Sequence, residues 1–451
     1  MSTTKKRKVN PNGQGAPPKK IVRGSTTTTP WRLEIHHIDV DQGDSTLVVA
    51  HKNNKVEGSL LIDGGLHKMK PRIDKYVKQV LNGEKLGALV VTHWDADHAD
   101  GISALLDVKP SDPTLDDVCS IVRAYDLGDA PAWPLDLVKL PGKNAALTRQ
   151  KSTLKKYTSH GICEDYKDAF DAALTARTRM TAVVDAVMLA HYTGFKDSEV
   201  PTVPPVPTGT DPTTWLLGME LLWAGNPPYP HAPTVKCITV NKWVGDPRAP
   251  VFTDRRKVAK DMDIWDRAYP IRPSELNDNA QSIGLLVEFG SFRYFLGGDL
   301  EVEQEKALCA YLNPNKTLTN RIHGVKLNHH GSSAANSAEF FNHFRPEFVV
   351  ISVGLNNSYG LPGTLAIQNI EQSQDISRVY STSSGARTAQ TKPHIVSGDD
   401  GKGQGTRILG HVIVGVDEHP LGPIPIDVTF RTGNFIQGTQ TPDVAVHKYN
   451  L

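Results

Sequence analysis

The chain has little with which to cross a membrane, staple a secreted fold or coat itself in positive charge. No apolar run approaches the ~20 residues of a spanning helix, and the stretch from Thr181 to Ala190 is interrupted by Asp185. The four cysteines, Cys119, Cys163, Cys237 and Cys309, are scattered without a Cys-x-x-Cys spacing. They read as free thiols in a reducing compartment rather than as a disulfide framework. The amino-terminal segment has no apolar core, which excludes a secretory signal. Formal net charge is only +1, so no global basic footprint is visible and any nucleic-acid strand must be held by a local groove. What remains is 451 residues at 39% hydrophobic, ample for a packed core in one elaborated domain or two.

Residues 1–30 differ in composition from all that follows. Lys5, Lys6, Arg7 and Lys8, then Lys19 and Lys20, are separated by Asn, Gly and Pro, and four threonines precede Pro30. This reads as a disordered basic tail. Two basic clusters about ten residues apart resemble a bipartite signal for a nuclear import receptor; a solubilising or phosphate-binding arm is the plainer alternative. The expected location is nuclear or cytoplasmic.

The chemistry concentrates in His93-Trp94-Asp95-Ala96-Asp97-His98, four metal-capable side chains in six positions directly after the apolar run 87–91. That pattern predicts a strand delivering ligands into a tight turn. Short spacing keeps the entropic cost of assembling a metal site small. A solvated acidic loop is the bland alternative, against which stands the interleaving of two His with two Asp. A second cluster lies far down the chain, with Asp299 closing one apolar run and His329 and His330 closing another. The two halves share a layout: His93 follows Asp63 by thirty positions, and His329 follows Asp299 by thirty. Both read as strand, acid, helix, strand, His, a repeated unit suited to bringing strand ends to a shared edge.

These segments resemble the metallo-β-lactamase superfamily, and within it the branch typified by the soluble hydrolase domain of the competence protein ComEC. The resemblance is carried by Ile38-Asp39-Val40-Asp41-Gln42-Gly43-Asp44-Ser45 followed by Leu61-Ile62-Asp63-Gly64-Gly65, the run His93 to His98, Asn279-Ala280-Gln281-Ser282, Leu296-Gly297-Gly298-Asp299-Leu300-Glu301, His329-His330-Gly331-Ser332, and Val350 to Gly360 followed by Tyr380-Ser381-Thr382. It implies an α/β, four-layer αββα sandwich over 31–451, interrupted by a long insertion at about 110–275. It also implies two divalent ions, zinc or manganese. His93 and Asp95 would hold the first, and Asp97, His98 and His329 the second, with Asp299 bridging. His329 is preferred to His330 as the first residue off its strand. Asp63 is expected to orient a ligand imidazole, and Asn279, Ser282, Ser332, Asn356 and Tyr359, with His330, to serve as supporting or substrate-contacting groups.

Departures from the family pattern carry their own implications. Asp95 stands where the superfamily usually has a second His, and an oxygen donor there favours harder ions. Asp41 replaces a glycine, which a left-handed backbone tolerates better than it would most residues. Leu361 stands where a His usually follows Tyr-Gly. No His of the third motif is evident; His160, His191 and His231 read as ordinary histidines, which leaves the first metal site short of a ligand.

The expected function is a metal-dependent hydrolase, a phosphodiesterase or nuclease in which paired ions supply a hydroxide nucleophile near neutral pH, with Asp97 and Asp299 as the catalytic carboxylates. DNA, RNA or a nucleotide is the expected substrate. A lactone or amide hydrolase, or a binding protein with a decayed site, are the alternatives. With no membrane span, DNA import is not the expected role. Helices are predicted at about 68–82, from near Asp100, at 301–312, at 336–344 and from Asp165 to about Leu189. Residues 201–212 form a Pro-rich linker. The insertion has two open readings, a lid over the site or a packing and oligomer element.

Overall fold

The computed structural model describes residues 30–106, 216–223, 231–240, 279–355, 357–383 and 410–417, with shorter pieces between and after them. The basic tail, most of the expected helix after Asp165, the Pro-rich linker, His160 and Asn356 lie outside the described residues.

Two mixed sheets face each other. The first begins with β1 (Trp31–His37), β2 (Thr46–Lys52), β3 (Lys55–Ile62), β4 (Ala88–Val90), β5 (Arg123–Tyr125) and β6 (Ala190–Tyr192), side by side in chain order. The second contains β7 (Thr234–Val240), β8 (Trp243–Val244), β9 (Val251–Phe252), β10 (Gly284–Phe289), β11 (Phe292–Leu296), β12 (Gly324–Lys326), β13 (Phe348–Ile351) and β14 (Arg378–Ser381). The chain then returns to the first sheet, where β15 (His411–Asp417) pairs with β1 and is followed by β16 (Asp427–Gly433) and β17 (Tyr449–Asn450). Five strands, β5 to β9, fall within 110–275, so part of the range read as an insertion is sheet.

Alternation along the strands explains the layers. Leu33 and Ile35 of β1 meet Leu285, Val287 and Tyr294 of the second sheet in one buried cluster, each such side chain contributing about 1.5–3 kcal/mol. Where a polar group enters this interior it is paired: His37 of β1 and the hydroxyl of Tyr294 are 2.9 Å apart across the two sheets. Helices cover the outer faces. α1 (Lys70–Leu81) turns Ile73, Tyr76, Val77 and Leu81 inward, and α2 (Ala96–Leu106) does the same with Ile102, Leu105 and Leu106. On the other side α3 (Val302–Leu312), α4 (Ala338–Phe344) and α5 (Thr364–Gln372) bury Leu308, Phe340, Phe341, Phe344, Ile367 and Ile370 against the second sheet. The result is the αββα sandwich the motifs imply.

Helix starts follow local chemistry. Glu301 and Gln304 form a capping box at α3, satisfying orphan N–H groups reciprocally. α2 begins at Ala96 rather than near Asp100, because the carbonyl of Asp95 already accepts the N–H groups of His98 and Ala99. Asp97 and His98 therefore belong to a helical first turn, where an acidic side chain is favoured by the dipole.

The repeated spacing of thirty has a topological meaning. β3 and β4 are parallel neighbours joined through α1, and β11 and β12 are parallel neighbours joined through α3. Side chains placed just past the carboxyl ends of these strands meet at one edge of the sandwich, the usual position of sites in such sheets.

Glycine docks α2 onto that edge. A Cβ on Gly101 would lie 1.8 Å from the carbonyl oxygen of Gly64, and the Gly101 N–H donates to the Gly65 carbonyl at 2.8 Å. Gly101→Ala is expected to displace α2 at a cost of about 1–3 kcal/mol, read as a lowered Tm together with weakened metal binding.

Candidate metal centre

Asp63, the first residue past β3, takes a left-handed conformation with φ 58°. One carboxylate oxygen accepts the Thr92 N–H at 2.8 Å; the other accepts the Thr92 hydroxyl at 2.7 Å and faces Nδ1 of His98 at 2.7 Å. With Nδ1–H donated to Asp63, the lone pair of His98 is on Nε2. His330 is set in the same sense, its Nδ1 lying 3.0 Å from the Ser352 carbonyl, which only accepts. Nδ1 of His93 lies 3.0 Å from the Thr92 hydroxyl and 3.3 Å from that of Ser282. Three imidazoles thus have Nδ1 engaged behind them and Nε2 turned forward, the arrangement that makes a neutral imidazole a metal ligand.

The forward atoms converge with carboxylates. Nε2 of His98 and Nε2 of His330 are 3.2 Å apart. Asp299 lies 3.3 Å from the first and 3.5 Å from the second, Asp97 lies 3.3 Å from His330, and His93 has Asp95 at 3.6 Å and Asp299 at 3.9 Å. Nε2 of His93 and Oδ1 of Asp299 are buried without a hydrogen-bond partner, a costly condition for polar atoms. Nitrogen and oxygen lone pairs aimed at one another with no donors between them fit a divalent cation.

Electrostatics agrees. Burial pulls the imidazoles down, but Asp299 and Asp63 hold His98 well above its usual range, and Asp299 and Asp44 raise His330 to about 10. Burial would raise Asp299, yet His330 and His98 hold it well below the ordinary carboxylate range. The carboxylates thus set a negative potential at the Nε2 atoms, favourable to any cation placed there.

The other residues singled out by sequence fall at varied distances from this centre. His329 is half-buried, 3.8 Å from Asp299, with the Asn279 amide 3.4 Å from its Nδ1; its neighbour His330 is the one inside the buried cluster. His329 and His330 both adopt left-handed backbone, so the turn after β12 carries the second histidine inward rather than the first. Ser282 touches His93 and accepts the Asp299 N–H. The Ser332 hydroxyl accepts the Ala334 N–H, a turn role away from the ligands. Tyr359 is 73% exposed. Asp41 has φ 63°, the left-handed conformation anticipated for it. The segment 279–282 lies against His93 and His329.

Sequence reading passed over Thr92, Gln42, Asp44 and Lys326. Gln42 donates to Asp97 at 3.4 Å and accepts the Gly354 N–H at 3.2 Å. Asp44 is counted with His98, Asp299 and His330 in the buried cluster. The available signal was Lys326 itself, a charge set in the apolar stretch between Val325 and Leu327.

Known proteins agree with this geometry. Residues 38–110 match the model of the metallo-beta-lactamase superfamily. The match covers β2 to β4, α2 and the donor-rich run from His93 to His98. The chain is also 31% identical over 103 residues to ComE operon protein 3 of Bacillus subtilis (strain 168), a span of 23% of this chain and 13% of that protein. Fold, donor cluster and match together support a metal-dependent hydrolase. Among the described residues no helix is long and apolar enough to cross a membrane.

Asp63→Asn leaves the fold in place but disturbs the acceptor that fixes His98. Metal affinity is expected to fall about 10- to 100-fold, measured by competition with a chelator.

Proposed function

We propose that this metallo-β-lactamase-like chain is a phosphodiesterase acting on nucleic acid or nucleotides. The observation that carries the reading is the placement of Asp299 between two groups of donors. Its Oδ1 approaches His98 and its Oδ2 approaches His330, His93 and His329, with Asp97 beside His330 and Asp95 beside His93; His98, His330 and Asp97 make one candidate group and His93, Asp95 and His329 the other. In this reading each group would hold one divalent ion, with Asp299 available to both and His330 in the place first given to His329. Bound together, two such ions would supply Lewis-acid stabilisation and water activation of the kind suited to in-line displacement at phosphorus.

The chain's own residues do the positioning. Asp63, Ser352 and Ser282 keep the imidazoles turned with Nε2 forward. Asp97, steadied by Gln42, is aimed into the centre and is placed to orient the attacking water or take its proton. Gly354 donates its N–H to Gln42 at 3.2 Å, and the segment 357–363 ends where the Gly363 N–H donates to the Gly331 carbonyl at 2.8 Å. Asn357 pins this loop through the Gly354 carbonyl and both backbone groups of Leu361. Tyr359, 73% exposed, would offer a surface on which a base can stack.

The test is metal content by elemental analysis alongside hydrolysis of bis(p-nitrophenyl) phosphate and of single-stranded DNA, with manganese or zinc supplied. About two equivalents of metal with diester turnover support the reading. Turnover confined to lactones or amides replaces it, and a protein that takes up no metal removes it. Asp97→Ala and His98→Ala are each expected to lower bound metal and abolish hydrolysis with the fold retained by circular dichroism. Tyr359→Ala is expected to raise KM on oligonucleotides about tenfold, within the ~1–3 kcal/mol of one stacked base. An oligonucleotide of abasic residues should be insensitive to the substitution.

A further inference from the structure

The buried cluster of Asp44, His98, Asp299 and His330 has an internal polarity that a list of donors conceals. Asp299 meets the imidazoles at their Nε2 atoms. Asp44 meets them from the opposite edge, 3.6 Å from Nδ1 of His330 and 3.9 Å from Nδ1 of His98. Those Nδ1 atoms are already engaged by the Ser352 carbonyl and by Asp63. Asp44 therefore stands behind the ligands rather than among them.

Its charge is met by a lysine. Lys326 ends β12, a central strand held in parallel between β11 and β13, and is 2% exposed. Its ammonium pairs with Asp44 and donates to the Gly298 carbonyl at 3.1 Å. The same carbonyl accepts the His329 N–H at 3.0 Å, and the Asp44 N–H donates to the Asp97 carbonyl at 3.0 Å. The pair thus ties the loop before β2, and through it Asp97, to the segments carrying Asp299 and His329.

We infer that Lys326 is an internal counter-cation, which neutralises Asp44, keeps that carboxylate out of the coordination sphere and clamps the two ligand-bearing halves together. Lys326 is a positioning residue, and the inference rests on the reading of the cluster as a metal site. A divalent ion repels an unpaired ammonium placed one layer away, whereas an unpaired carboxylate there competes for the imidazoles. Removing one member of a buried pair also leaves an uncompensated charge, while replacing both with neutral groups of similar shape is tolerated.

The experiment is a double-substitution cycle read by metal binding rather than turnover. Wild type, Asp44→Asn, Lys326→Met and the doubly substituted protein are loaded with Zn2+ and, separately, Mn2+, then titrated against a chelator. Each single substitution should weaken binding about tenfold or more, and the double should recover the wild-type stoichiometry with affinity within about threefold. Loss of an equivalent of metal in both Asp44→Asn and the double would make Asp44 a ligand and overturn the inference, as would wild-type affinity in Lys326→Met. If the single variants do not fold, the double decides alone. If it too fails, anomalous diffraction from the metal-loaded wild type decides: Asp44 on Lys326 with no metal bonded to it supports the inference, and a metal on Asp44 defeats it. Wild-type loading in the same assay reports separately on the metal centre.

Discussion

Asp63 accepts three hydrogen bonds where β3 and β4 end, and the placement of the early ligands depends on them. Two come from Thr92 and fix the exit of the chain from β4; the third comes from His98 and fixes the first turn of α2. Between those two anchors, His93, Asp95 and Asp97 have little freedom left. The left-handed conformation of Asp63 is uncommon for a side-chain-bearing residue, but Gly64 follows it and allows α2 to approach the strand end closely. A carboxylate in that position, with three hydrogen bonds already on its two oxygens, is committed to holding other residues still.

The second half of the centre is built differently. There the histidines sit on a turn whose backbone is left-handed at two successive residues, a conformation the surrounding structure must enforce. Glu305 on α3 supplies much of that enforcement. Its buried carboxylate accepts the side-chain amide of Asn328 and the backbone N–H groups of Asn336 and Ser337, while Asn336 bonds the backbone of Asn328 on both sides. Burial nevertheless raises the proton affinity of Glu305. A helix outside the sandwich thus sets the course of the loop that carries His330 inward.

Much of this was legible in the sequence because it is local. The run from His93 to His98, the strand-ending acids Asp63 and Asp299, and the equal spacing in the two halves all report chain segments of a few residues or one βαβ unit. They suffice to place a metal centre at a strand edge of an αββα fold. Choosing between His329 and His330 needed the turn's dihedral angles, which no periodicity encodes, and the strand ended two residues earlier than its apolar pattern suggested. The start of α2 was misplaced for a related reason: Asp97 and His98 look like loop residues by composition, yet the Asp95 carbonyl closes the first turn around them. The contribution of β7 to β9 to the second sheet could not be read because these short strands lie in a stretch without a matching motif.

Contacts between the halves were the least legible, and they set the electrostatic balance of the centre. Asp44 and Lys326 are far apart in the chain, and each has an innocent local explanation, the one as a loop acid and the other as a strand-end lysine. Brought together at almost complete burial, they add no net charge to an interior that already holds Asp63, Asp97 and Asp299 close to three imidazoles. Without Lys326, Asp44 would add another uncompensated negative charge behind His98 and His330, and the imidazoles would hold protons more strongly against an incoming cation. With the pair intact, the carboxylates on the Nε2 side are left to set the field into which a divalent ion would enter, so metal binding would depend on a contact that touches none of the forward-facing donor atoms.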